Sequence, residues 1–146
     1  MRRTILKHAF VLLTAAFLLG LVAGSMAHHP HGRLWMGAHL TGILVALMVA
    51  VVGLVWPELR LSAKAGKVLL FVTVPMNYYL MAALGVAGPA LGFPQPIATP
   101  QLPPPAVWVT GWMTANLVVA TVSGLTLAVL VVFGLRRQPG EAAAGA

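Results

Sequence analysis

The chain has 146 residues, of which 60% are hydrophobic and 8% charged, and it carries a formal net charge of +7. With a mean hydropathy of +0.93, this composition excludes an ordinary soluble domain and points to an integral membrane protein. Cysteine and aspartate are missing and the only carboxylates are Glu58 and Glu141, which excludes disulfides, thiolate metal sites, cysteine nucleophiles and paired-carboxylate chemistry inside a membrane.

A bilayer core about 30 Å thick needs roughly 20 apolar residues per helical span. Four stretches meet that standard: residues 5–26, 35–56, 67–87 and 107–135. The first follows the basic start "MRR" and precedes "SMA", so it reads either as a span or as a cleaved signal peptide, with the orientation of the remaining spans unchanged. After it comes "HHPH", residues 28–31. Three imidazoles in four residues could gather Cu or Zn, but Pro30 splays the run and no carboxylate or thiol stands nearby, so a solvated loop competes with a metal site.

The second span carries a single histidine, His39, in an otherwise apolar run. Helical spacing puts Trp35, Met36, His39, Gly42 and Ala46 on one face. Gly42 and Ala46 form a small-xxx-small pair, which either admits a neighbouring helix closely or leaves room for a flat ligand. His39 therefore has two readings, an interhelical hydrogen bond to Asn77, a tyrosine hydroxyl or a backbone carbonyl, or a ligand to a metal or cofactor.

The loop "PELRLSAKAGK" is short and basic, making the second and third spans antiparallel neighbours. In the third span Pro75 predicts a kink that frees a backbone carbonyl, and "MNYY", residues 76–79, lies beside it. Residues 88–105 contain seven prolines and no charge, which predicts a stiff, partly polyproline loop. The fourth span adds Asn116, a possible partner for Asn77 and Tyr78. Its Thr110, Thr114 and Thr121, with Ser123, are expected to bond back to their own helix. Trp35, Trp56, Trp108 and Trp112 fall near span ends, where indoles prefer the headgroup boundary. Residues 138–146 read as a disordered tail, leaving residues 1–137 as one four-span domain.

The basic residues mark topology rather than a nucleic-acid surface. Arg2, Arg3 and Lys7 precede the first span, Arg60, Lys64 and Lys67 fill the second loop, and Arg136 and Arg137 follow the fourth. The positive-inside rule then gives an all-α, multi-pass four-helix bundle with both termini in the cytoplasm, in an inner membrane of bacterial type. Small-residue faces in "GLVAGSMA" and "VSGLTLA" suggest further helix contacts and an oligomer.

The string "GAHLTG", the following run ending in "WPELRLS", the basic patch and a third span with an Asn-aromatic motif together resemble the small four-span membrane isomerases, which include styrene oxide isomerase and the hydroxylaminobenzene mutases. The resemblance runs from about residue 8 to 135. It implies that His39 is the axial ligand of a haem b whose ferric iron acts as a Lewis acid, with Trp35 and Gly42 beside the cofactor and Asn77, Tyr78 and Asn116 as pocket groups. It further implies isomerisation of an apolar aromatic that enters from lipid, either an aryl epoxide to an aldehyde or an arylhydroxylamine to an aminophenol, in a homo-oligomer, as a trimer. Three positions depart from the family pattern: Val45 and Ala46 stand where it has Asn-Gly, and Met81 where it has a tyrosine. A haem-bearing electron-transfer subunit and a non-enzymatic scaffold are the competing functions, the former wanting a second axial ligand that His8 is poorly placed to supply.

Overall fold

The computed structural model describes residues 1–29, 31–93 and 105–135. Four helical segments in it are long and apolar enough to cross a membrane: Arg2–Ser25, Gly32–Glu58, Ala63–Ala90 and Val107–Leu135. They match the four predicted spans to within a few residues. Most of the proline-rich loop, Arg136, Arg137 and the predicted tail lie outside the described residues.

Helix α1 (Arg2–Ser25) and helix α2 (Gly32–Val55) form an antiparallel hairpin. The buried residues of α1 are Ile5, Ala9, Leu12, Ala16, Leu19 and Ala23, alternating steps of four and three, which is the seam of a left-handed helix pair. Every second one is alanine. Facing them, α2 buries Ala38, Gly42, Ala46 and Val49, so small residues meet small residues and the two backbones come close. A Cβ added at Gly20 would stand 2.7 Å from His39 Nδ1, and one at Gly42 would stand 2.9 Å from the Ala16 Cβ and 2.8 Å from Met81 Cε. Glycine at these two positions is a requirement of the approach.

The third span is not one helix. Ser62 caps its start, its hydroxyl accepting from Ala65 N at 3.2 Å, which begins the helix four residues before the hydropathy does. Helix α3 (Ala63–Thr73) ends at Val74, and Pro75 opens helix α4 (Pro75–Leu80). A π-helical stretch, Met81–Ala87, then leads into the short α5 (Gly88–Ala90). The span closes on Gly92, whose φ of +76° allows Phe93 N to donate to Gly88 O at 2.8 Å and Gly92 N to Pro89 O at 3.1 Å. This is a Schellman end, and only a residue without a Cβ takes that backbone angle cheaply. It turns Phe93 back toward the bundle.

Helix α6 (Val107–Leu135) packs along the third span. At the Glu58 end of the bundle, Val52, Leu69, Val72 and Leu127 form a core cluster, and Arg60 N donates to Gly134 O at 2.9 Å. Hydroxyls of Thr114 and Thr121 bond back to Thr110 O and Leu117 O at 2.8 and 2.9 Å, so they sit in apolar surroundings with their donors satisfied.

The hairpin makes a testable demand. Gly42→Leu should lower the melting temperature in detergent by several degrees, because overpacking such a contact costs about 1–3 kcal/mol. Gly24→Ala, where nothing lies within 4 Å of the added Cβ, should leave it unchanged or raise it, since alanine is the better helix former by roughly 1 kcal/mol.

Candidate functional site

His39 is half-buried on the side of α2 that faces α1. Its Nδ1 lies 2.7 Å from Ala16 O. A carbonyl can only accept, so Nδ1 carries the proton and donates, and in the neutral ring Nε2 keeps its lone pair. Nε2 has no hydrogen-bond partner among the described residues. The Phe17 ring lies 6.0 Å away, tilted by 55°. A histidine anchored through one nitrogen with the other left available is the arrangement metal-ligating imidazoles use, where the second nitrogen's bond to a carbonyl fixes tautomer and ring angle. It is also the interhelical bond that a purely structural histidine would make.

A cavity of about 440 Å³ opens on another side of α2. Its walls come from α2, the third span and α6, and among the described lining residues Arg33 and Thr41 alone have polar side chains. That volume lies within the range of small-molecule binding pockets. Val45 and Met81, two of the positions at which the chain departs from the family pattern, both line it. Gly42 does so as well, and stands where α1, α2 and the third span meet. Three of the lining residues, Met81, Leu84 and Gly85, belong to the π-helical stretch. Sequence periodicity did not reveal that stretch, because a π turn is a misfit between tertiary packing and helix pitch rather than a residue pattern.

The other expected site residues fall in different places. Asn77 is 4% exposed and its Nδ2 donates to Val72 O at 3.1 Å and Thr73 O at 2.9 Å. These are the carbonyls just before the Pro75 break, so the carboxamide supplies donors where the helix loses them. Tyr78 lies nearer the Glu58 end, its hydroxyl 3.1 Å from His8 Nδ1 with the rings edge to face. Asn116 is 3% exposed; its Nδ2 donates to Trp112 O at 2.9 Å and its Oδ1 is buried with no partner among the described residues. Trp35 is half-buried near the start of α2. His39, Asn77, Tyr78 and Asn116 thus do not converge on one point, and none of the four lines the cavity.

The outer histidines hold the turn between α1 and α2. His31 N donates to His29 Nδ1 at 3.1 Å, His31 Nδ1 lies 3.3 Å from Pro89 O, and the two rings are 5.2 Å apart. Among the described residues no group of three or more potential ligands could hold a metal ion.

The styrene oxide isomerase family model matches residues 1–136. The chain belongs to the styrene oxide isomerase family. Within the family's reach it is 32% identical over 132 residues to the hydroxylaminobenzene mutase HabB of Ectopseudomonas oleovorans, a match covering 87% of this chain and 79% of the relative. No solved structure matches the chain. Membership makes an isomerase-like activity the expectation for the chain, with four apolar helices as its frame.

Removing the Asn77 donor should be costly to the frame. Asn77→Leu should destabilise the protein by about 1–3 kcal/mol, the range for a buried carbonyl left without its donor, read as a lower denaturation midpoint in detergent.

Proposed function

We propose that the chain is a membrane haem-binding isomerase of apolar aromatic molecules, with His39 as the axial ligand of a b-type haem. The observation that supports it is the 2.7 Å bond from His39 Nδ1 to Ala16 O, which holds the ring and leaves Nε2 for a metal, in a chain that belongs to a family of isomerases. His39 would hold the haem, and the bound group would supply a Lewis acid for a substrate oxygen. The protein's own part is to bind and exclude water. The apolar cavity has room for an aromatic ring taken from the surrounding lipid, and Arg33 and Thr41 supply the polar atoms at its described wall. His39 and the cavity face different sides of α2, so they support the haem and the apolar binding place separately and do not form one site within the protomer. Aryl epoxides and arylhydroxylamines are the two substrate classes; the mutase relative favours the second. The proposal includes an inner-membrane location, both termini on the cytoplasmic side, and a homo-oligomer, the trimer that the family resemblance implies.

A packing role for His39 rests on the same bond, and an absorption spectrum separates the two. Protein purified in detergent after haem supplementation should show a Soret band that is lost in His39→Ala and partly regained by His39→Gly with added imidazole. A wild-type protein without the band would refute the haem reading, and a low-spin bis-histidine spectrum would favour an electron-transfer subunit. Turnover of styrene oxide or hydroxylaminobenzene then tests the isomerase itself.

A further inference from the structure

Two side-chain polar atoms are buried without a partner among the described residues, Thr73 Oγ1 and Asn116 Oδ1. The second is the more demanding. A hydroxyl rotates to suit its surroundings, whereas a carboxamide whose nitrogen is committed cannot. Asn116 Nδ2 already donates to Trp112 O, which fixes the amide and excludes the flipped assignment, since two carbonyl oxygens would then face each other. The oxygen is the end left over, and buried carbonyl oxygens are paired in the great majority of folded proteins.

Its position suggests with what. Met113, Leu117 and Ala120 of α6 line the cavity, and Asn116 lies on the same stripe by helical spacing, between the first two. Met113 Cε reaches the position a Gly88 Cβ would take. The two segments run antiparallel, so one turn further along α6 sets Asn116 level with Leu84 and Gly85, which are also wall residues. Asn116 therefore stands one layer behind the cavity wall, where α6 meets the π-helical stretch. Of the two polar side chains on its described wall, Arg33 can only donate, and Thr41 offers a hydroxyl from an exposed face of α2. The walls at Val45 and Met81 are apolar.

We propose that Asn116 Oδ1 is the specificity-determining acceptor of this cavity, taking a hydrogen bond from an N–H or O–H on a small aromatic ligand. Asn116 is not itself a wall residue, so Met113 and Leu117, the wall side chains on either side of it, must move for a ligand to reach its oxygen. The proposal rests on the cavity being the substrate site and refines its substrate class. An arylhydroxylamine carries two donors beside its ring, and an epoxide carries none. A site with an unpaired acceptor therefore prefers the first, because a donor-free ligand leaves the carbonyl as unpaired as it was.

The test uses the purified full-length chain and the matched probes phenol and anisole, which differ in the donor. Binding is followed by tryptophan fluorescence with a detergent blank, in wild type and in Asn116→Leu. The wild type should prefer phenol by roughly tenfold more than Asn116→Leu does, with anisole binding unchanged between them. An equal preference in both proteins overturns the proposal. The chain has two asparagines, Asn77 and Asn116, so side-chain ¹³C-asparagine labelling gives a second readout that needs no folded variant. Phenol should shift one of the two carbonyl stretches to lower frequency and anisole neither; no shift with phenol again overturns it. Turnover of hydroxylaminobenzene against styrene oxide is recorded separately. No turnover of either by the wild type counts against the isomerase reading alone, while turnover of both with an Asn116-independent ratio counts against the acceptor alone.

Discussion

The structure depends on how closely α1 and α2 approach. Lipid offers apolar side chains no advantage in meeting each other, so a helix pair in a membrane is held by close packing and by the few polar bonds it can make. Here both come from the same place. Alanines at every second buried position of α1 and the bare Cα of Gly20 let α2 in near enough for an imidazole to reach a helix carbonyl. That carbonyl, Ala16 O, accepts from His39 without leaving its helix, and Gly42, one turn along, packs on the same alanine. The histidine's available nitrogen and the hairpin's stability are consequences of one contact.

Polar side chains elsewhere in the spans follow one economy. With no water in a bilayer core, a helix break is tolerated only if something replaces the lost donors. Asn77 does so at Pro75, and the threonines of α6 satisfy themselves on their own helix. His8 and Tyr78 answer each other across the bundle. Against that background an unpaired oxygen at Asn116 stands out, as does a π-helical stretch beside the cavity. Departures from local satisfaction gather where the third span meets α6.

Much of the frame was legible in the residues. Four apolar runs of sufficient length, separated by short basic or proline-rich loops, leave a chain few options but a helical bundle, and Pro75 announced its break. Of the two readings of His39, the carbonyl partner is present and the second nitrogen remains available. The site was harder to read. Helical spacing grouped Trp35, His39, Gly42 and Ala46 on one face, yet it could not say which neighbour that face would meet. It meets α1 at His39, while Gly42 stands at the edge that face shares with the cavity. Asn77 and Asn116 looked alike as intramembrane carboxamides. One completes a broken helix and the other has an oxygen to spare, a difference made by which backbone groups lie within reach.

By itself the sequence determined the class of protein, the number and approximate positions of its apolar spans, the lack of cysteine and aspartate, and the single histidine within the second span. These follow from composition and from the length of helix a bilayer demands, both properties of the chain read one residue after another. Only the tertiary structure decided which nitrogen of His39 is engaged, that Val45 and Met81 share a wall with Thr41, and that Asn116 ends with an unmet acceptor. Such facts depend on distances between residues far apart in the chain, set by where glycine lets backbones touch and where a π turn shifts a face, and no local pattern carries them.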